Sequence, residues 1–107
     1  MHQLPALQLA DWLADASRPQ PLLLDVREPW EFDLCHLEGA QHIPMHLVPA
    51  RCQELDPGQE IVVICHHGAR SMQVAMFLEN RGFAAVHNLT GGVDAWATDV
   101  DPSMRRY

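Results

Sequence analysis

Short apolar runs alternate with segments of helical periodicity along the chain. Residues 21–26 and 60–64 are near-continuous apolar runs, typical of strands that are buried on both faces. Residues 39–43 and 85–89 predict two further strands. Helices are predicted at residues 4–15, 28–35, 46–55, 71–81 and 90–96, and residues 98–107 carry no periodicity. This alternation predicts βαβ units and a parallel sheet with right-handed crossovers.

The carboxyl ends of the strands are the place where ligands bind in such a sheet. The loops that follow these ends begin after Val26, Ile43, Ile64 and Leu89. The loop after Ile64 begins with Cys65 and continues to Arg70, so it combines a nucleophile with a cation. The sequence therefore places the candidate site at this loop.

Composition and charge narrow the classes of protein to which the chain could belong. Its 107 residues suit a single domain spanning 1–107, and 48% apolar against 20% charged residues is an ordinary globular balance. Fourteen acidic residues against seven arginines and no lysine give a formal charge of −7. We therefore expect no nucleic acid and no membrane among the partners. No apolar run approaches the ~20 residues of a bilayer span, and the first residues lack a signal-peptide pattern.

The three cysteines are Cys35, Cys52 and Cys65. An odd and small number argues against a disulfide framework, so we expect a reduced, cytoplasmic setting. Cys35 and Cys52 each follow a helical pattern, and we interpret them as packing residues. The alternative is that one of them forms a disulfide with a modified Cys65 during turnover.

The loop from Cys65 to Arg70 has the composition of an activated nucleophile in an anion-binding cradle. Gly68 allows a tight turn whose N–H groups point inward, and the following helix adds its positive end. A thiol at this point is expected to be held as the thiolate at neutral pH. Arg70 offers a planar fork of donors to an anion, and the Ser71 hydroxyl could cap the helix. The alternative is a buried core cysteine at the end of a strand.

The remaining residues of the loop are candidate substrate contacts. We predict that the backbone N–H groups of residues 66–70 stabilise an anionic sulfur, with His66 and His67 lining the mouth of the pocket. Because three adjacent residues rarely converge on one ion, we expect no metal at Cys65, His66 and His67. The predicted site consists of Cys65 as catalytic residue, with substrate contacts from His66, His67, Gly68, Ala69, Arg70 and Ser71.

Four motifs make the chain resemble the rhodanese-like sulfurtransferases over nearly its whole length. They are Leu24-Asp-Val-Arg-Glu28, His36-Leu-Glu-Gly-Ala40 with His42-Ile-Pro44, Cys65-x-x-Gly-x-Arg70 and Gly91-Gly-Val-Asp-Ala-Trp96. The resemblance implies an α/β fold with a five-stranded, mostly parallel sheet and helices on both faces. It implies a single-domain member, about half the length of the tandem type. In the family, Asp25 and Arg27 resemble structural residues that order the neighbouring loop through ion pairs.

The resemblance also implies the chemistry. Cys65 would cycle between thiolate and persulfide, taking the outer sulfur of an anionic donor such as thiosulfate and passing it to cyanide or a thiol. No cofactor is expected, because Cys65 carries the sulfur covalently. Phosphatases that share this fold resemble C-x5-R proteins with a longer loop, whereas this chain has C-x4-R. Two alternatives stay open: a sulfur-relay subunit fed by a protein persulfide, and a non-catalytic interaction module.

Overall fold

All five strands of the protein run parallel in one sheet, in the order β1-β5-β4-β2-β3. The computed structural model describes residues 1–107. The strands are β1 (His2–Pro5), β2 (Leu22–Asp25), β3 (Gln41–His42), β4 (Ile61–Ile64) and β5 (Val86–Thr90). The helices are α1 (Ala6–Ala14), α2 (Pro29–Leu34), α3 (Val48–Arg51), α4 (Ala69–Asn80) and α5 (Gly92–Asp99). None of the helices has the length and apolar character needed to cross a bilayer.

The central strand β4 divides the interior into two cores. Ile61 and Val63 face one core, where α3 and α4 pack, and Val62 and Ile64 face the other, where α1 and α5 pack. All four of these side chains are fully buried. A strand that is apolar on both faces must lie in the middle of a sheet that is covered on both sides. The predicted parallel α/β fold with helices on both faces is confirmed.

The prediction of one helix over residues 4–15 is wrong at its start. Residues 2–5 form the edge strand β1, which pairs with β5 in the register Leu4 to Leu89, and α1 begins only at Ala6. Pro5 ends the strand with φ −65° and extended ψ, since its ring removes the N–H that a helix or ladder would use. Leu4 fits the helical spacing but is buried against the second core as a strand residue.

The predicted helix over residues 46–55 is broken into three short pieces. A 3-10 turn at Met45–Leu47 leads into α3, and a second 3-10 turn follows at Cys52–Glu54. Pro49 lies in the first turn of α3, where its missing N–H is tolerated. Val48 and Cys52 still face the first core, so the apolar spacing is kept although the regular helix is not.

The start of α5 packs directly on the loop that carries Cys65. The Val93 N–H donates to the Cys65 carbonyl at 2.9 Å, and the Asp94 N–H donates to the His66 carbonyl at 3.1 Å. At Gly92, φ is +58°, and a Cβ there would lie 2.3 Å from the Cys65 carbonyl oxygen. This close approach leaves no room for a side chain, so a glycine is needed at position 92 for α5 to pack on the loop that follows β4.

We expect Gly92→Ala to lower the free energy of unfolding by about 2–4 kcal/mol, because the methyl group combines left-handed strain with overlap on the loop carbonyls. Gly39→Ala is the matched control: its φ is +80°, but nothing lies within 4 Å of the added Cβ. That variant carries the strain alone, about 1–2 kcal/mol. Urea denaturation of both variants measures the difference. Equal losses would show that the contact with the loop is unimportant.

Candidate active site

The Cys65 sulfur lies at the end of β4 and is hydrogen-bonded on two sides. The Gly68 N–H donates to Sγ at 3.0 Å, and the Ser71 hydroxyl lies 3.2 Å from it. The residue is buried, with 1% of its surface exposed. Gly68 has φ +104°, a left-handed conformation that turns its N–H back toward the cysteine. Two polar groups therefore form a cradle on one side of the sulfur, while Cys65 also packs in the first hydrophobic core.

The Ser71 hydroxyl does not cap the helix, contrary to the prediction. The helix α4 begins at Ala69, two residues earlier than predicted, and Gly68 is its N-cap residue. Ser71 lies in the first turn, where its hydroxyl donates to Asn88 Oδ1 at 2.5 Å. The Asn88 amide is oriented by its own donation to Gly68 O, so a side chain from β5 places the hydroxyl next to Cys65. Nothing in the local sequence around Asn88 indicates this role.

The loop and the first turn of α4 hold several backbone donors without an acceptor in the chain. Their N–H groups make no hydrogen bond to any backbone or side-chain group: His66, His67, Ala69, Arg70 and Ser71. Such donors at the start of a helix stabilise negative charge together with the helix dipole. Of the N–H groups in this segment, that of Gly68 donates to the Cys65 sulfur, and its five neighbours are left without an acceptor in the chain.

Arg70 is held by a carboxylate that sequence reasoning missed. Its two terminal nitrogens donate to Glu31 Oε1 at 2.7 Å and Oε2 at 2.9 Å, a bidentate pair. The Glu31 side chain is 4% exposed and that of Arg70 36%. The Arg70 guanidinium is the main reason that the pKa of Glu31 falls to about 2, and Glu31 in turn raises the pKa of Arg70. Arg70 is therefore fixed beside the loop, with its remaining N–H groups left for another anion.

Glu31 belongs to a helix start that the sequence does indicate. It is the third residue of α2, and its carboxylate accepts from the Glu28 N–H at 2.9 Å in a capping box. The pattern of an acidic N-cap, proline and a second acid is readable in the sequence. The contact with Arg70 spans 39 positions, so no local pattern reveals it.

A second ion pair lies fully buried next to this one. Arg27 Nη2 donates to Asp25 Oδ2 at 2.7 Å, and both side chains are 0% exposed. Arg27 also donates to the Cys35 carbonyl at 2.6 Å, and its own carbonyl lies 2.7 Å from His42 Nε2. These bonds fix the segment between β2 and α2, in agreement with the ion pair that was expected of Asp25 and Arg27.

Most of the chain matches a known protein family. Residues 9–99 match the model of the Rhodanese-like domain family. The chain belongs to that family. Its crystal structures include a rhodanese-like domain protein from Staphylococcus aureus, which is 26% identical to the chain with a TM-score of 0.82, over 90% of this chain and 91% of that one. The predicted family is thereby confirmed.

Relatives of the domain differ in length, and several carry sulfurtransferase names. One named sulfurtransferase from Allochromatium vinosum is 36% identical over 91% of this chain and 89% of its own. Thiosulfate sulfurtransferase GlpE from Pseudomonas fluorescens is 34% identical over 78% and 77% of the two chains. The chloroplastic Rhodanese-like/PpiC domain-containing protein 12 from Arabidopsis thaliana is 40% identical over 79% of this chain, which matches only 30% of that protein. The rhodanese-like domain is thus similar to sulfurtransferases of its own size and to part of a longer protein.

The two loop histidines of the rhodanese-like domain stack on one another. The rings of His66 and His67 lie 3.9 Å apart, with His67 exposed and its Nε2 4.0 Å from Asp94 Oδ2. Burial, followed by the neighbouring His67, lowers the pKa of His66. The charged form of His66 is therefore disfavoured at this place.

Ligating atoms of His66, His67 and Asp94 come within 4.8 Å of one another. Asp94 is far from the two histidines in the sequence, so it is not among the residues from which the absence of a metal is expected. Its carboxylate accepts from Arg106 Nη2 at 2.9 Å. A cation would therefore have to bind against the positive charge of that guanidinium, which disfavours a metal at this place.

Replacing Glu31 tests the contribution of its ion pair with Arg70 to stability. Its folded-state pKa of about 2 lies below the ordinary value of Glu, so the pair stabilises the protein above about pH 4.5 and the contribution is lost as pH falls toward 2. In Glu31→Gln an amide NH2 replaces one carboxylate oxygen and faces an N–H donor of Arg70. We therefore expect the free energy of unfolding to fall by about 1–3 kcal/mol at pH 7. The loss should shrink as urea denaturation is repeated from pH 5 down to about pH 3.

The matched control is Glu54→Gln. Glu54 pairs with Arg51 on the surface and its side chain is 45% exposed, so its replacement should change stability by less than about 1 kcal/mol. A Glu31→Gln loss of this small size, or one that does not depend on pH, would contradict the role given to Glu31.

Proposed function

We propose that the rhodanese-like domain transfers sulfane sulfur from a small anionic donor such as thiosulfate, through a Cys65 persulfide, to a thiol or cyanide. The observation that carries the proposal is the polar cradle of Cys65, in which the Gly68 N–H donates to the sulfur and neighbouring N–H groups lack acceptors. Such a cradle stabilises both a thiolate and the anionic outer sulfur of a persulfide. The similarity to thiosulfate sulfurtransferase GlpE supports thiosulfate as the donor to test.

The reaction has two displacement steps. The Cys65 thiolate attacks the outer sulfur of thiosulfate, a sulfur–sulfur bond forms, and sulfite leaves with the electron pair of the broken bond. A thiolate or cyanide then attacks the outer sulfur of the persulfide, and the Cys65 thiolate leaves. Each step keeps the total charge, and no oxidant or reductant is consumed.

The residues of the loop have distinct roles in these steps. The N–H groups of residues 66–70 hold the outer sulfur as an anion, and the start of α4 adds its dipole. Arg70 binds the sulfonate end of the donor through the N–H groups that Glu31 does not use. The Ser71 hydroxyl lies 3.2 Å from the sulfur, and because its proton goes to Asn88, its oxygen is the acceptor for the Cys65 S–H before the thiol ionises.

A relay role is the second candidate, and the charge of the chain favours it. The formal charge of −7 slows the approach of a dianion, whereas a protein donor could bring its own complementary surface. In this case the donor is a protein persulfide and the acceptor is a partner enzyme. A Michaelis constant for thiosulfate far above cellular concentrations, with efficient uptake from a protein persulfide, would favour the relay.

Intact-protein mass spectrometry after thiosulfate exposure tests the reaction type. We expect a gain of one sulfur atom that cyanide removes as thiocyanate and that Cys65→Ser abolishes. Cys35→Ser and Cys52→Ser are the matched controls, because both residues are free cysteines outside the loop. Both variants should keep the gain. Unchanged mass in the wild type, or sulfur that stays on the Cys65→Ser variant, would contradict the proposed function.

Arg70→Lys tests the guanidinium. The ammonium keeps the charge but lacks the planar fork, so it cannot hold Glu31 and an anion in the same way. We expect the KM for thiosulfate to rise about tenfold while kcat changes less. Arg51→Lys, on the surface, is the control. Arg70→Ala should in addition lower thermal stability, because it leaves the buried Glu31 carboxylate without its partner. A Lys variant with the wild-type KM would exclude Arg70 from donor binding.

A further inference from the structure

The segment that follows α5 turns back toward the active site. The Met104 N–H donates to the Asp101 carbonyl, which closes a turn, and the chain then returns along α5. Arg106 anchors the returning segment, since it donates to Asp94 at 2.9 Å and to the Thr98 hydroxyl at 2.8 Å. Two bonds to one helix thus bring the next residue, Tyr107, to the loop that carries the cysteine.

The hydroxyl of Tyr107 joins the two ion pairs described above. It donates to Glu31 Oε2 at 2.6 Å and accepts from Arg27 Nη1 at 2.9 Å. Glu31 holds Arg70, and Arg27 holds Asp25. Burial, followed by the bond to Glu31, raises the pKa of Tyr107 to about 12, so the hydroxyl keeps its proton and donates throughout the physiological range. The Tyr107 hydroxyl therefore connects the buried pair of Arg27 with Asp25 to the pair of Glu31 with Arg70.

The ring of Tyr107 contacts the other side of the site. It stacks on His66 with centroids 4.0 Å apart and an interplanar angle of 13°, and its second aromatic neighbour is Trp30 at 5.4 Å, edge-on. His66 directly follows Cys65, and its ring also stacks on the ring of His67, with centroids 3.9 Å apart. A single side chain thus contacts the carboxylate that holds Arg70 and the residue next to the nucleophile.

We propose that Tyr107 is a positioning residue for sulfur transfer. Its hydroxyl fixes the position of the Arg70 guanidinium through Glu31, and its ring fixes the position of His66 beside Cys65. The inference rests on the proposed function. A tail that merely covered apolar surface would not need a hydroxyl bonded to two charged partners, one of them the fully buried guanidinium of Arg27. Tyr107 makes both kinds of contact, and they reach the donor-binding arginine and the loop by separate routes.

Two variants separate the contributions of the hydroxyl and the ring. Tyr107→Phe keeps the stack on His66 and loses both hydrogen bonds, so we expect the KM for thiosulfate to rise about threefold to tenfold with kcat within about twofold. Tyr107→Leu loses the ring as well, and its kcat should also fall, giving a loss in kcat/KM of about tenfold or more. Arg105→Ala is the matched control, because Arg105 is exposed, lies two residues away and makes no hydrogen bond or ion pair.

The split between KM and kcat distinguishes positioning from mere stability. If Tyr107 only stabilised the fold, both variants would melt at a lower temperature while the folded fraction at 25 °C kept the KM and kcat of Arg105→Ala. That result would overturn the inference and leave the proposed function intact. A wild-type domain that takes up no sulfur at Cys65 would instead overturn the proposed function, and the inference with it.

A second measurement does not depend on turnover. Tyr107 is the one tyrosine of the chain, so selective labelling gives a single tyrosine ring signal in NMR. We expect this signal to shift saturably when thiosulfate is added to Cys65→Ser, which binds the donor without reacting. Movement of the loop amide signals of residues 66–70 with a fixed tyrosine signal would refute the positioning role. If neither set of signals moves, thiosulfate does not bind and the donor assignment fails as well.

Discussion

The two hydrogen bonds from the start of α5 to the carbonyls of Cys65 and His66 determine the arrangement of the site. They occupy the carbonyls of Cys65 and His66, at 2.9 and 3.1 Å, while the N–H groups of His66 and His67 have no acceptor in the chain. The approach is possible because Gly92 has no side chain to overlap these carbonyls. The proposed anion cradle therefore depends on two elements: Cys65 directly follows β4, and α5 holds the backbone of the loop after it.

Much of the architecture could be predicted because it depends on local patterns. The strand Ile61–Ile64 is apolar at every position, and burial on both faces follows from that. The position of Cys65 after this strand, the glycine three residues later and the helix that begins next predict the cradle. The edge strand β1 could not be found in this way. It has two exposed polar residues, and only pairing with β5 and burial of Leu4 hold it in place.

The residues that sequence reasoning missed at the site all act across long separations in the chain. Glu31 contacts Arg70 over 39 positions, Asn88 contacts Ser71 over 17, and Tyr107 contacts Glu31 over 76. In each case tertiary packing brings a polar side chain to a partner that no local pattern indicates, even where, as at Glu31, the pattern does predict a helix start. Ser71 illustrates the converse error: its place near a helix start suggested a cap, but Gly68 is the N-cap residue, and the hydroxyl donates to Asn88 beside the sulfur.

The distribution of charge decides how an acidic domain could attract an anion. Arg27 and Arg70 are each paired with a carboxylate, so neither contributes a free positive charge near Cys65. The attraction must then come mainly from N–H dipoles, which act over short distances and are not neutralised by the acidic surface. Under the proposed function, such a site would discriminate by fit: it would favour a donor small enough to place its charged sulfur among the amides, and the paired Arg70 would orient that donor more than attract it. Because N–H dipoles act over short distances, the proposed chemistry would depend on the exact positions of the groups that contact the loop, including the Tyr107 ring on His66.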